Sequence, residues 1–362
     1  MTLEDWGWNE KRTVEFAEYK LKGWKPGRVI RPGRGIYRIA AITREGDGLG
    51  EIEEKEARLT GKALSRGETP AAGDWVAWRE EGGTAVITAL LTRKTVISRK
   101  VAGETSREQI MGVNVDVLFI VQALGEGRGF TPRGLERYIT MAWESGCKPV
   151  VLLNKADLAE DLTADLDEAE SSAPGIKILA CSTVTGKGIQ GLKEILPPGL
   201  TAAFIGPSGV GKSSIINAVA GTDLAEAGSV REFDNRGRHT TTHRELHRLK
   251  DGRLLLDTPG LRELQLWGRE ESVDTAFPEI EELANLCRFN DCRHENEPGC
   301  AVKEGIKNGS ISNDRYNSWL GLRKELTWLE SRQNENIRRE LEQKWLNISK
   351  LNRMKKKGKE IW

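Results

Sequence analysis

The segment that decides the fold of this chain is Gly206-Pro207-Ser208-Gly209-Val210-Gly211-Lys212-Ser213. It matches the pattern G-x-x-x-x-G-K-[ST], whose glycines let backbone N–H groups turn inward around phosphate oxygens. An apolar run at 202–205 leads into the segment, and an amphipathic stretch from Ser214 to Ala220 follows it. We therefore predict a phosphate-binding loop between a strand and a helix. In that loop Lys212 would reach the β and γ phosphates and Ser213 would bind Mg²⁺, with Ser214 beside it.

Short apolar runs and amphipathic stretches alternate around this loop. The apolar runs lie at 115–123, 150–153, 176–180, 202–205 and 253–256. The helical stretches lie near 135–145, 192–196 and 213–220. Strands that alternate with helices indicate an α/β domain built on a mostly parallel sheet, which we expect to span 110–268.

A carboxylate and a glycine follow the apolar run at 253–256, in the segment Asp257-Thr258-Pro259-Gly260. Alone, the pattern D-x-x-G would mean little, because any strand can end in such a turn. Behind a phosphate-binding loop, Asp257 is expected to hold Mg²⁺ through water, and Gly260 to offer its N–H to a γ-phosphate.

The run at 150–153 ends in Asn154-Lys155-Ala156-Asp157, which we interpret as the reader of a nucleotide base. A carboxylate at Asp157 can accept hydrogen bonds from N1–H and the exocyclic amine of guanine, and adenine does not present these donors together. Asp157 therefore favours GTP over ATP. Without the phosphate loop, the same residues would be an ordinary helix N-cap turn. Ser182 and Thr183, after the run at 176–180, are expected to close the base pocket.

The order of these motifs is unusual, because Asn154 precedes Gly206 along the chain. In most GTPases the phosphate loop comes first and the base reader comes last. A parallel sheet tolerates the reversed order if the chain is circularly permuted, since a site depends on which residues are neighbours in space.

The sequence before this domain is rich in strand and turn signals. Residues 29–100 contain about five short strands separated by turns, which favours an OB-like β-barrel over another small β module. Residues 1–28 form an N-terminal extension rich in tryptophan, with Trp6, Trp8 and Trp24, for which the sequence suggests no function.

Three cysteines and a histidine lie close together after the α/β domain, namely Cys287, Cys292, His294 and Cys300. Three thiolates and one imidazole complete a tetrahedral Zn²⁺ shell, which predicts one structural zinc ion per chain. An iron–sulfur cluster and a chance clustering of cysteines are the alternatives. We expect a zinc-stabilised helical domain at 269–330, followed by a basic helical tail at 331–362. That tail has ten Lys or Arg and four Glu, a local net charge of +6.

Composition excludes several classes of protein. The 362 residues carry 55 basic and 54 acidic side chains, so the chain is not a globally basic coat for nucleic acid. No apolar run approaches the roughly 20 residues that cross a bilayer, and the N-terminus lacks the pattern of a secretory signal, so we expect no membrane. Five cysteines suit a reducing cytoplasm, and we interpret Cys147 and Cys181 as small buried residues.

The reversed motif order, the barrel in front and the Cys/His cluster behind together resemble the bacterial ribosome small-subunit-dependent GTPase A family. The resemblance covers nearly the whole chain from about Val29 to Leu329. It implies GTP hydrolysis (EC 3.6.1.-) that depends on Mg²⁺ and is stimulated by the small ribosomal subunit, with a role in late 30S maturation. It also implies that the small subunit and its 16S-type rRNA are the partners of a cytoplasmic protein, which we expect to be a monomer.

The resemblance also suggests two residues for hydrolysis. Thr241 resembles the Mg²⁺-binding threonine of the family, although Thr240 is adjacent to it. His239 resembles the proposed water-orienting group, and a neutral imidazole can accept a hydrogen bond from water. Leu261 occupies the position of the glutamine that orients water in Ras-like enzymes, so intrinsic turnover should be slow. His239 as a solvated loop residue or an RNA contact is the alternative.

Three further interpretations remain open or are disfavoured at this stage. The chain could be a regulatory GTP-binding switch that acts on a protein partner. An RNA-binding scaffold with a degenerate nucleotide site is disfavoured by the intact loop residues. A second metal site at His239, His243 and His247 is disfavoured because Asp251-Gly252 predicts a hairpin turn between 242–249 and 253–256, which is not helical.

Overall fold

The computed structural model describes residues 2–33, 35–44, 51–61, 69–100, 108–125, 131–224, 244–257, 270–295 and 297–333. The chain divides into two compact units. The first comprises Met1–Arg99 with Gln109–Leu264, and the second comprises Lys100–Glu108 with Gln265–Trp362.

The first part of unit one is a closed five-stranded barrel. Its strands are β1 Lys25–Arg31, β2 Ile36–Arg44, β3 Glu51–Leu59, β4 Trp75–Glu81 and β5 Thr84–Leu90. They follow the order β1-β2-β3-β5-β4, and β4 pairs with β1 to close the barrel. Only β3 and β5 run parallel. The barrel predicted from the sequence is confirmed, and closure leaves it without a free sheet edge.

Strand β1 begins at Lys25, inside the predicted N-terminal extension 1–28. Pro26 and Gly27 are typical of turns, so the sequence pattern assigns them to the extension and not to the barrel. In the barrel they lie opposite Ala77 and Val76 of strand β4. Early positions in a strand tolerate proline, because few ladder hydrogen bonds are lost there.

The rest of the N-terminal extension packs against the barrel and joins it to the sheet. It forms a 3-10 turn, Glu4–Trp6, and helix α1, Glu10–Leu21. The ring of Trp8 meets the ring of Trp75 edge-on, with centroids 4.9 Å apart. The buried Arg28 of β1 donates hydrogen bonds to the Trp6 carbonyl and, at 2.8 Å, to the Thr201 hydroxyl. These contacts give the tryptophan-rich segment a structural role.

The second part of unit one is a six-stranded sheet with helices. A two-stranded ribbon precedes it, formed by β6 Val96–Lys100 and β7 Glu108–Val113. The sheet strands are β8 Val117–Ala123, β9 Lys148–Asn154, β10 Lys177–Ala180, β11 Thr201–Ile205, β12 Glu245–Arg248 and β13 Leu254–Asp257. The helices are α2 Pro132–Glu144, α3 Leu162–Ser172, α4 Ile189–Ile195 and α5 Lys212–Ala220.

These strands follow the order β10-β9-β8-β11-β13-β12. All neighbours are parallel except β12 and β13, which form an antiparallel hairpin with Arg248 opposite Leu254. The predicted α/β domain and the predicted hairpin are both confirmed. Phe119 and Phe204 stack between neighbouring strands with centroids 5.0 Å apart, inside a continuous apolar core. Because the strands are parallel, the loops after β9, β10, β11 and β13 emerge at one edge.

Unit two is helical, as predicted. Its helices are α6 Glu270–Ala276, α7 Pro278–Ala284, α8 Ala301–Lys307 and α9 Asn313–Gln333. Val273, Phe277 and Leu326 are fully buried in it. The guanidinium of Arg315 lies 4.1 Å from the centroid of the Phe277 ring and donates to Glu279 at 2.6 Å. Across the described residues, no helix combines the length and apolar character that a membrane span requires.

Candidate functional site

Three predicted motifs lie at the same edge of the sheet. The predicted phosphate loop starts at Gly206, directly after β11. The predicted base reader starts at Asn154, which is the last residue of β9, and Ser182 follows β10. Strand β8 lies between β9 and β11, and its Ile120 is in register with both Val151 and Ile205. The reversed order along the chain therefore still brings the predicted phosphate loop and base reader to one edge.

Three glycines of the predicted phosphate loop have positive φ angles, a conformation that favours glycine. Gly206 has a φ of +139°, and a Cβ there would lie 2.1 Å from the backbone oxygen of Val121. Gly209 has a φ of +80°, and Gly211 has a φ of +94°. Between Gly206 and Gly211, the residues Pro207, Ser208 and Gly209 are exposed. The loop is thus pressed against β8 at its base and open to solvent at its tip, as a cradle for phosphate requires.

The lysine of the loop, Lys212, is the first residue of α5 and folds back over the loop. Its Nζ donates to the backbone oxygens of Gly206 at 2.8 Å and Pro207 at 2.6 Å. Ser213 and Ser214 follow in the first turn of α5 and are half-buried. The ammonium group is therefore held at the mouth of the loop, where phosphate oxygens can replace the two carbonyl oxygens.

A hydrogen bond joins the predicted base reader to the phosphate loop. The side chain of Asn154 is buried, and its Nδ2 donates to the backbone oxygen of Val210 at 2.8 Å. The contact is close, because a Cβ on Gly211 would lie 2.3 Å from the same nitrogen. The two motifs are separated by the whole of strands β10 and β11 along the chain, yet they touch.

Cys181 contacts the oxygen of the Asn154 side-chain amide, a role that the sequence did not suggest. Its Sγ lies 3.7 Å from Asn154 Oδ1 and can donate to it. Burial raises the pKa of Cys181 to about 12, so the thiol keeps the proton that this contact needs. The Cys181 carbonyl also accepts a hydrogen bond from the N–H of Ala156 at 3.0 Å. No short motif marks such a residue, because its partner lies on another strand.

The remaining base-reader residues form a rim around this buried centre. Lys155 has a φ of +61°, which turns the chain into a 3-10 turn, Ala156–Leu158, and leaves Asp157 exposed. Ser182 is buried, and its hydroxyl accepts hydrogen bonds from the N–H groups of Val184 and Thr185. Thr183 is half-buried in the same turn. The carboxylate of Asp157 is accessible to a base.

Asp257 ends β13 at the edge of the sheet where the loops emerge. Burial raises the pKa of Asp257; His247 lowers it and Glu245 raises it further. Glu245 is the residue directly opposite Asp257 in the hairpin. A bound cation would favour the charged carboxylate in this partly buried position.

Several predicted residues lie outside the described part of the chain. They are Thr240, Thr241, His239, His243, Gly260 and Leu261, together with the tail from 334 to 362. Of the three histidines in the disfavoured metal site, the structure describes only His247. His247 lies in the antiparallel strand β12 and therefore not on a helix, as that site would need.

The four predicted zinc ligands come together in unit two. Their ligand atoms all lie within 4.8 Å of one another. The Nδ1 of His294 is 3.4 Å from the Sγ of both Cys287 and Cys300, and these two sulfurs are 3.9 Å apart. Tetrahedral Zn²⁺ would space sulfurs by about 3.8 Å and a sulfur and a nitrogen by about 3.6 Å. The cluster, completed by Cys292, fits that ion.

The surroundings of His294 suit a metal ligand. Burial lowers the pKa of His294, and the positive charge of Arg323 lowers it further, while Glu297 and Glu281 oppose the shift; the net lowering favours the neutral imidazole that a metal needs. The Tyr316 hydroxyl donates to the His294 carbonyl at 2.8 Å, and the Trp319 ring packs edge-on against the imidazole. The backbone and ring of this histidine are thereby oriented before any metal binds.

Comparisons with known proteins agree with this architecture. A family model described as RsgA GTPase matches residues 90–267. The chain is 39% identical over 351 residues to "Small ribosomal subunit biogenesis GTPase RsgA 2" of Listeria monocytogenes serotype 4b, covering 97% of this chain and 96% of that protein. It is 38% identical over 351 residues to "Small ribosomal subunit biogenesis GTPase RsgA 1" of Listeria innocua serovar 6a, with 97% and 96% covered.

A solved structure is similar as well. The crystal structure of YjeQ from Thermotoga maritima matches with a TM-score of 0.64 and 28% sequence identity. The match covers 84% of this chain and 98% of that one. The fold of this chain is therefore similar to that of a protein of known structure over most of its length.

Proposed function

Because the chain belongs to the RsgA GTPase family, we propose that it hydrolyses GTP on the small ribosomal subunit and so drives or checks late maturation of that subunit. The relatives it matches over nearly their whole length are named for small ribosomal subunit biogenesis. The proposal places the protein in the cytoplasm, where subunits are assembled and thiols stay reduced.

The hydrogen bond from Asn154 to the Val210 carbonyl supports the proposal most strongly. It links a phosphate cradle to a carboxylate that can read guanine, so one nucleotide can span both. Gly206 and Gly211 support the same conclusion, since a Cβ on either would clash with Val121 or Asn154, so this loop conformation needs glycine at both positions. A protein that bound RNA without nucleotide would have no need of this arrangement.

The proposed roles follow from the chemistry of each group. Lys212 would exchange its two carbonyl partners for β and γ phosphate oxygens, and Asp157 would accept from the guanine edge. Ser213, Asp257 and Thr241 would hold Mg²⁺, which when bound neutralises charge on the phosphates. The backbone N–H groups of the cradle would bind the remaining phosphate oxygens.

His239 is proposed to orient the attacking water. A neutral imidazole can accept a hydrogen bond from water and so direct a lone pair at the γ-phosphorus. The Leu261 side chain cannot do this, because it carries no polar atom. Slow turnover without the subunit, and faster turnover with it, is the expected consequence.

The cluster of Cys287, Cys292, His294 and Cys300 is proposed to bind one structural Zn²⁺. Four protein ligands leave no open coordination position, so the ion would stabilise unit two without taking part in hydrolysis. The barrel, this unit and the basic tail 331–362 are proposed to contact 16S-type rRNA, by phosphate contacts that need no particular base sequence. We propose that the protein acts as a monomer.

A comparison of two activators tests the function. Turnover of GTP is measured with purified small subunits and, separately, with a protein extract from which ribosomes have been removed. Stimulation by the subunits alone is the expected result. Stimulation by the extract alone would instead indicate a regulatory switch that acts on a protein partner, and would refute the proposal.

A further inference from the structure

Strand β12 lies at the boundary between the sheet and the barrel. It is the last strand in the sheet order, with β13 on one side, and barrel strand β1 contacts it. Arg244, just before β12, donates from Nη1 to the backbone oxygen of Ile110 in β7 at 3.0 Å. The chain that contains the proposed residues His239 and Thr241 therefore returns to the sheet at a point that is held by neighbouring elements.

A carboxylate of β12 joins two arginines of the barrel. The Nε of Arg31 donates to Glu245 Oε2 at 2.9 Å, and Arg31 Nη2 donates to the same oxygen. The Nη1 of Arg38 lies 3.9 Å from Glu245 Oε1. The side chain of Glu245 is only 16% exposed, so water screens these contacts weakly.

This arrangement brings opposite charges next to two pairs of like charges. Arg31 and Arg38 lie directly opposite each other in the barrel, and Glu245 and Asp257 lie directly opposite each other in the hairpin. Like charges in such positions are destabilising, because directly opposed side chains share a face and lie close together. Glu245 lies between the two arginines, and Glu54, whose Oε2 is 3.6 Å from Arg38 Nη1, supplies a second negative charge beside them. The arginines reduce the repulsion between Glu245 and Asp257 but do not remove it.

We propose that Glu245 is a positioning residue through which the barrel adjusts the nucleotide site. The inference rests on the proposed function, because it concerns stimulation of hydrolysis by the small subunit. While Arg31 binds it, the Glu245 carboxylate is directed to the barrel, and it would not compete with Asp257 for Mg²⁺. A change in what the barrel binds can thus alter the surroundings of Asp257 through the Glu245 side chain and the pairing of β12 with β13.

The test compares Arg31→Gln, Glu245→Gln and the double variant. GTP turnover is measured at saturating GTP with and without saturating small subunits, and the ratio is recorded. Each single variant should lower the ratio by about fivefold or more, the lower end of typical coupling between sites. If Arg31 acts through Glu245, Arg31→Gln should have no further effect in the Glu245→Gln background. Loss of an acidic side chain cannot remove a phosphate contact, so a lower ratio for Glu245→Gln reports coupling.

One control and one further test variant accompany these proteins. Glu81→Gln removes an exposed barrel ion pair, with Arg79, and should leave the ratio unchanged. Arg38→Gln disturbs the same bridge from a side chain that is 41% exposed, and it serves if Glu245→Gln does not fold. It too should lower the ratio.

The possible failures are distinguishable. This inference alone would be overturned if subunits stimulate the wild-type protein and the ratio is unchanged in Arg31→Gln, Arg38→Gln and Glu245→Gln. An equal loss caused by Arg31→Gln in both backgrounds would also overturn it, because Arg31 would then act independently. Wild-type turnover that subunits do not raise would overturn the proposed function, and this inference with it.

Discussion

Replacing Asn154 by alanine tests the link between the base reader and the phosphate loop. The change removes a buried donor and leaves the carbonyl of Val210, itself buried, without the partner it has at 2.8 Å. An unsatisfied buried polar group costs about 1–3 kcal/mol. The loop would relax to satisfy that carbonyl, and GTP would have to reverse the change on binding. We therefore expect the Kd for GTP to rise about 5- to 150-fold.

The matched control is Asn114→Ala, which removes another buried asparagine from the same unit. Asn114 accepts from Arg12 and from the N–H of Lys94, and donates to the Gly73 carbonyl at 3.0 Å. Its loss should lower the unfolding temperature and leave the Kd for GTP within about twofold of wild type, because none of these partners belongs to the loop.

Calorimetric titration of both variants with GTP, beside thermal unfolding, is the assay. A folded Asn154→Ala protein that binds GTP as tightly as wild type would refute the reasoning. So would an Asn114→Ala protein whose GTP affinity falls as far as that of Asn154→Ala, because the effect would then reflect general loosening of the fold.

Further predictions concern hydrolysis, metal, thiols and RNA. His239→Ala should lower the subunit-stimulated single-turnover rate with little change in GTP affinity; an unchanged rate would exclude the water-orienting role. Cys292→Ser, or chelation of wild-type protein, should remove about one Zn²⁺ per chain together with helical signal, and retained helicity without metal would contradict a structural zinc. Cys147 and Cys181, whose pKa values burial raises to about 12, should resist alkylation near pH 8 in the folded protein, and rapid modification would show that they are accessible. Subunit affinity should fall steeply from about 50 to about 200 mM salt, with a smaller slope after removal of 334–362, and a flat response would count against phosphate contacts.

Local motifs made much of this fold predictable from sequence. The phosphate loop begins at Gly206 and the base reader at Asn154, and each concentrates its chemistry in a few consecutive residues with a strand before it. The predicted hairpin around Asp251-Gly252 depended only on a turn pair, and it is present. In the cysteine cluster, the spacing of the ligands alone indicated a metal site.

Contacts between distant segments were not predictable in this way. Nothing near Cys181 in sequence indicates that its thiol would contact Asn154, since Cys181 follows β10 and Asn154 ends the neighbouring strand β9. The same holds for Arg31 and Glu245, which meet only because the barrel packs against β12. The sequence pattern places the start of the barrel at residue 29 and not at Lys25, because Pro26 suggests a turn when its pairing with β4 is unknown.

Competition between guanosine and adenosine triphosphates for the wild-type protein tests the central claim most directly. If a carboxylate reader and a phosphate cradle form one pocket, calorimetry with Mg²⁺ present should show strong binding of GTP and binding of ATP weaker by at least about a hundredfold, because adenine leaves the carboxylate unpaired. Equal affinities for the two nucleotides would contradict the account.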